Sequence, residues 1–227
     1  MLYKTRGIVL NYTRYRETSI IVKIYTEEFG LQTYVENGVR SARGKGKIAL
    51  FQPLTLVDLV VYHKPSADIQ RISEIRCRRP FYRISTDIKK MSLGIFVTEV
   101  LVLTLREHTG NPALFAFLER ALIFLEEQET QVENFHLFFL VHLSAYLGFA
   151  PETARDLRVQ LEEYGIALSA EEEGVLRELI GAPFGGYLAL NKARRMAVLD
   201  HLIRFYRLNV EGFSGVRSVQ VLKDVME

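Results

Sequence analysis

The sequence predicts an α+β protein, with an N-terminal five-stranded barrel followed by an all-helical domain. Three observations predict it. Apolar residues recur with a period of two up to about residue 78, and with helical spacing from Asp87 onward. The charge divides at the same place: residues 1–80 hold 14 Lys and Arg against 7 Asp and Glu, and the remainder hold 15 against 20. Between the two parts stands Arg79-Pro80, so the domains are drawn at 1–79 and 80–227.

The first strand is read over Tyr3–Tyr12, with Gly7 where a bulge or a close strand approach is tolerated. Glu17–Thr26 puts Ile20, Val22 and Ile24 on one face and Ile21, Lys23 and Tyr25 on the other. After a turn at Glu27–Gly30, Leu31, Thr33 and Val35 oppose Gln32, Tyr34 and Glu36. Pro53–His63 is apolar on both faces over much of its length, and Ile69–Arg78 supplies a fifth strand. Five short strands fit a small closed barrel of the OB type. Strand count alone leaves an SH3-like barrel open.

The helical part begins at Asp87–His108, capped by Ser85 or Thr86. Asn111-Pro112, an N-cap followed by Pro at the first helical position, opens Ala113–Gln128. Val132–Leu147 carries so many Phe, Val and Leu residues that it belongs at the centre of a bundle. A helix or hairpin follows Ala154, with a further helix near Ala170–Ile180. Asn191–Leu208 and Gly215–Met226 close the chain.

The stretch with most chemical character is Asn37–Lys47, NGVRSARGKGK. It holds Arg40, Arg43, Lys45, Lys47 and three glycines, and no acid. A flexible cationic loop on a rigid base suits a polyanion. Tyr12, Tyr15, Tyr25 and Tyr34 are interleaved with Arg14, Arg16, Lys23 and Arg40, as in barrels that bind single strands by phosphate contacts and base stacking. The competing reading is that these tyrosines cap the barrel core and the cations solvate it.

Other chemistries find little support. Asp58, Asp68 and Glu74 are too loosely spaced for a two-metal centre, and His136 and His142 face different directions on a helix. No nucleophile elbow, phosphate-binding loop or dinucleotide fingerprint occurs. Cys77 is the sole cysteine, which rules out a Cys-based zinc site within one chain. The apolar stretches Ile95–Leu105 and Leu137–Phe149 are too short to span a bilayer, and MLYKTRGIVL is too short an apolar run for a signal peptide. A non-enzymatic, cytoplasmic protein without cofactors is expected. Glu99, set among Val97, Val100 and Leu101, needs a partner such as an Arg or a helix N-terminus.

RGIVLNYTRYRETSIIVKIYTEEFG, NGVRSARGKGKIALFQPLTLVDL, SLGIFVTEVL, FHLFFLVHLSAYLGFAP and HLIRFYRLNVEGFSGVRSVQVLKDV together resemble the RecO family of bacterial DNA-repair proteins. The resemblance implies an OB-fold followed by a helical domain. It also implies binding of single- and double-stranded DNA, strand annealing, and help in loading RecA onto DNA coated by single-strand-binding protein. Implied partners are RecR and the C-terminal tail of the single-strand-binding protein. The family's basic loop maps to Arg40, Arg43, Lys45 and Lys47, and the wider set of expected DNA contacts adds Arg14, Arg16, Lys23 and Tyr34. Arg195 and Arg204 are expected to hold an acidic partner tail. Many relatives carry a four-cysteine zinc module, and residues 152–186, which replace it here, contain no cysteine. Leu157, Leu161, Tyr164, Leu168, Leu176 and Leu179 are expected to hold that stretch by packing, without zinc. The alternative function, from another class, is a helical protein-interaction scaffold that touches no nucleic acid.

Overall fold

The computed structural model describes residues 1–41, 44 and 46–226. Two compact units divide the chain: Met1–Tyr82 with Val100–Leu122, and Arg83–Glu99 with Ile123–Glu227.

In the first unit, β1 (Leu2–Tyr15), β2 (Ser19–Thr26), β3 (Gly30–Glu36), β4 (Leu56–Tyr62) and β5 (Gln70–Arg79) close into a barrel. The order is β1-β2-β3-β5-β4, a five-stranded Greek-key closure of the OB kind. Strand β1 serves two neighbours, Leu2–Ile8 against β4 and Gly7–Tyr15 against β2. Where the two pairings overlap, a Cβ on Gly7 would lie 2.7 Å from Ile24 Cγ2, so Gly7 permits a close approach. The bulge itself comes between Val9 and Asn11 and bends the strand around the barrel.

Ile20, Val22 and Ile24 of β2 face the core and are fully buried. Cross-strand partners share a face, and Ile20, Val22 and Ile24 stand opposite Glu36, Tyr34 and Gln32. The more apolar side of β2 therefore forces the more polar side of β3 inward. The polar groups at the two ends of that row are satisfied: Gln32 Nε2 donates to Phe29 O at 2.7 Å, and Glu36 accepts from Lys47.

An ion network joins strands β1, β4 and β5 to helix α3 (Pro112–Glu127), whose first part belongs to this unit. Arg6 grips Glu27 through two bonds of 2.7 and 2.5 Å and donates to Glu119 at 2.7 Å. Its guanidinium lies 5.1 Å from the Phe115 ring centroid. Glu119 also meets Arg78 at 3.1 Å, and Asp58 meets Arg76 and Arg78. The Arg6 hydrogen bond is the main cause holding the Glu27 carboxyl below its ordinary range, and the same bond raises Arg6.

The second unit is built from α1 (Arg83–Thr86), α2 (Ile88–Thr104) up to Glu99, the end of α3, and α4 (Phe135–Tyr146), α5 (Ala154–Glu163), α6 (Ala170–Gly181), α7 (Lys192–Asn209) and α8 (Val219–Val225). Nine of the twelve residues of α4 are buried, which makes it the central helix of this unit. The cap of α2 is Asp87, whose Oδ1 accepts from Lys90 N at 3.0 Å, and not Ser85 or Thr86. Asn111 caps α3 as read from sequence, accepting from Leu114 N.

Helices α5 and α6 occupy the cysteine-free stretch, and each starts with a capping box, Thr153 with Asp156 and Ser169 with Glu172. Leu157, Leu161, Leu176 and Leu179 are fully buried; Tyr164 is 66% exposed and Leu168 half-buried, so those two hold less than expected. Of the partners foreseen for Glu99, the helix N-terminus is the one present. Its carboxylate accepts from Arg217 N, Ser218 N and Ser218 Oγ at 2.7, 2.9 and 2.7 Å, at the start of α8.

Arg6→Ala removes the shared cation from two half-buried carboxylates. It is expected to lower stability by about 2–3 kcal/mol, between surface and buried ion pairs, read as a lower urea midpoint. Because Glu27 is depressed, its contribution is present above its ordinary 4.5 and is lost as pH falls through the lowered value. Urea titrations on the acid limb are expected to show a smaller loss of stability in Arg6→Ala than in the parent chain.

Candidate nucleic-acid interface

The β1–β2 connection brings several of the expected contacts together. Arg14, Arg16 and Arg40 are exposed there. Arg16 holds a left-handed backbone (φ 51°) at the turn, and its guanidinium lies 5.1 Å from the Tyr15 ring centroid. Arg40 N donates to Thr18 O at 3.0 Å, which ties the start of the basic stretch to this same turn. The long stretch 37–47 is thus anchored where it is described. Val39 is 1% exposed within the barrel core, and Ser41 Oγ donates to Gly38 O at 2.6 Å. Arg43 and Lys45 lie outside the described residues.

Two expected contacts have other surroundings. Tyr34 is 0% exposed inside the barrel, so its ring has no surface on which a base could stack. The cause is the β2–β3 register, which places it opposite Val22. Its hydroxyl has no hydrogen-bond partner among the described residues, and burial raises its pKa. Lys47 is spoken for: its Nζ lies 2.5 Å from Glu36 Oε1, so much of its charge is compensated.

Of the other tyrosines, Tyr25 is buried and stacks on Phe115 at 6.4 Å, and Tyr12 packs against the core. Tyr15 is 37% exposed and paired with Arg16 at this end. Its sequence signal is a Tyr-Arg step in a tight turn between two strands. Lys23 is exposed further along β2, opposite Thr33.

In the helical unit, Arg195 is 5% exposed, which corrects the expectation that it meets a partner. Its Nε donates to Asn134 Oδ1 and its Nη2 to Leu190 O, both at 3.0 Å, so it fixes the chain before α7 to the start of α4. Arg204 is exposed on α7. His136 is fully buried and kept neutral, with its pKa pushed down to about 3 by desolvation and then by the Arg195 charge. Burial also lowers His142. Among the described residues, no three His, Cys, Asp or Glu side chains are grouped to hold a metal ion, and no helix is long and apolar enough to cross a membrane.

The family described as Recombination protein O N terminal matches residues 1–81, and Recombination protein O C terminal matches residues 85–176. The chain belongs to the RecO family. The DNA repair protein RecO of Flavobacterium psychrophilum is 33% identical, with 99% of each chain covered. That of Flavobacterium johnsoniae is 34% identical over 99% of both chains, and that of Bacteroides fragilis 31% over the whole of both. The likeness to these RecO proteins therefore includes residues 152–186, where this chain has helices α5 and α6.

Tyr34→Phe removes an unpartnered buried hydroxyl and is expected to leave the thermal midpoint unchanged or raise stability by up to about 1 kcal/mol. Tyr34→Ala, which opens a cavity in the same core, is expected to cost about 3–5 kcal/mol. Paired thermal melts of the two variants check the assignment of Tyr34 to the core.

Proposed function

We propose that this RecO-family chain is a non-enzymatic DNA-binding and strand-annealing protein that acts as a recombination mediator in DNA repair. On this reading it helps RecA load onto DNA coated by single-strand-binding protein, in the cytoplasm and without a cofactor. The observation that carries the reading is the exposed group of Arg14, Arg16 and Arg40 beside Tyr15, at one end of an OB-type barrel. A cationic surface that tracks phosphates, with an aromatic ring for a base, is how such barrels hold single strands.

The mechanism follows from the charges. Arg14, Arg16, Lys23 and Arg40, with Arg43 and Lys45 of the same basic stretch, neutralise phosphates on two strands. That lowers the strands' mutual repulsion, so complementary bases pair. The chain's part is electrostatic, with no bond made or broken. Single- and double-stranded DNA both offer the phosphates it needs. The proposed protein partners are RecR and the acidic C-terminal tail of the single-strand-binding protein, with Arg204 as a contact for the tail. Charge complementarity supports that role, because Arg204 is an exposed cation on α7.

Each single-strand phosphate contact contributes about −0.7 to the slope of log affinity against log salt. Arg14→Ala/Arg16→Ala/Arg40→Ala is therefore expected to make that slope shallower by about 2, to a similar extent for unrelated sequences, and to slow annealing of complementary oligonucleotides. Fluorescence anisotropy across a salt series measures it. A variant that binds and anneals like the parent chain removes this surface from the function.

A further inference from the structure

The parallel seam between β3 and β5 is only two residue pairs long, Tyr34 with Gln70 and Val35 with Arg71. Leu31–Thr33 therefore reach beyond β5, and a cleft of about 580 Å³ opens beside them. Its lining includes Lys23, Thr33, His63, Asp68, Arg106 and His108. Arg106 and His108 come from the segment between α2 and α3, far from the barrel in sequence.

That segment is fixed to the barrel. Leu31 N donates to Glu107 O at 2.8 Å, and His108 Nδ1 donates to Leu31 O at 2.6 Å. Backbone passes so close that a Cβ on Gly30 would lie 2.3 Å from Glu107 O, and one on Gly110 2.4 Å from Glu28 O. The anchoring presents Arg106 to the same cleft as Lys23. Both cations are exposed, and neither forms an ion pair with a described residue. Asp68 is the single carboxylate in the lining, and it sits exposed in the β4–β5 turn.

The outer face of β2 and β3 leads to this cleft. Ile21, Thr33 and Val35 are half-exposed there, whereas Tyr25, the next outward residue on β2, is covered by Phe115. A chain lying on this face from the Arg14–Arg16 turn meets Lys23 about three residues along β2, roughly 10 Å from Ile20 at a strand's rise. The face closes beyond that point, with the cleft to one side.

We propose that Lys23 and Arg106 form a phosphate subsite in this cleft that receives the backbone of a single DNA strand coming from the β1–β2 turn. Two unpaired cations flanking a polar cleft match a polyanion better than a neutral ligand, and the outer face supplies half-exposed apolar surface between the two cationic points. The subsite rests on the DNA-binding reading above.

The test is anisotropy of a fluorescent twenty-residue oligo-dT, titrated with the full chain at about 50 and 200 mM salt, where the single-strand slope per contact is known. Lys23→Ala/Arg106→Ala is expected to weaken binding about tenfold at the lower salt and to reduce the slope by about 1.4. Circular dichroism is expected to match the parent, since both side chains are exposed. A slope unchanged in this variant, with the parent still salt-sensitive, overturns the subsite alone. A parent chain that shows no salt-sensitive binding overturns the DNA reading, and the subsite with it. Inorganic phosphate, titrated while the Arg106 side-chain NMR signals are followed, tells a free anion from a strand. Saturation at low millimolar phosphate that Lys23→Ala/Arg106→Ala abolishes, with oligo-dT binding unaffected, assigns the cleft to a small anion and overturns the strand subsite.

Discussion

The barrel depends on how its shortest seam is completed. Five strands close only if β3 meets β5, and here that parallel contact spans Tyr34–Gln70 and Val35–Arg71. An edge left open in this way exposes backbone donors and acceptors. The segment after α2 supplies part of what is missing, with Glu107 O accepting from Leu31 N and the His108 ring donating to Leu31 O. Gly30 and Gly110 are the residues that let the two backbones come so close. The Arg6 guanidinium, shared between Glu27 and Glu119, then holds the start of α3 beside β1. Residues 100–122 consequently count with the barrel and not with the other helices.

The same geometry sorts the cations of the basic half. Arg6, Arg76, Arg78 and Lys47 are matched by Glu27, Glu119, Asp58 and Glu36. Among the described residues Lys4, Arg14, Arg16, Lys23, Arg40, Lys64 and Arg71 face solvent. An excess of positive charge over a stretch of sequence is a sum over both groups, whereas a polyanion meets only the second. The solvent-facing group includes the β1–β2 turn and the outer face of β2, where Tyr15 is exposed.

In the helical unit, polar groups are placed to fasten helices to one another. Glu99 ties α2 to the N-terminus of α8, and Arg195 ties the chain before α7 to Asn134 at the start of α4. The stretch without cysteines is a pair of capped helices with four buried leucines. Apolar packing and reciprocal caps serve there as local supports of the fold.

The sequence by itself determined what local chemistry can encode. The period-two runs located the strands, Asn111-Pro112 located the start of α3, and the apolar density of 132–147 located the central helix. A five-stranded barrel was legible from the strand runs, and its OB type and the RecO family from the resemblance carried by stretches such as RGIVLNYTRYRETSIIVKIYTEEFG. Only the tertiary structure decided which face of β3 turns inward, because alternation gives two faces and the choice came from the neighbour, β2. That choice buried Tyr34. Likewise, a cation's partner is written nowhere near it: Arg6 and Glu119 are 113 residues apart, and Arg195 and Asn134 are 61. Whether an arginine is a contact for a ligand or a fastening within the fold depends on which distant carboxylate or carbonyl reaches it first, and that is settled only when the chain has folded.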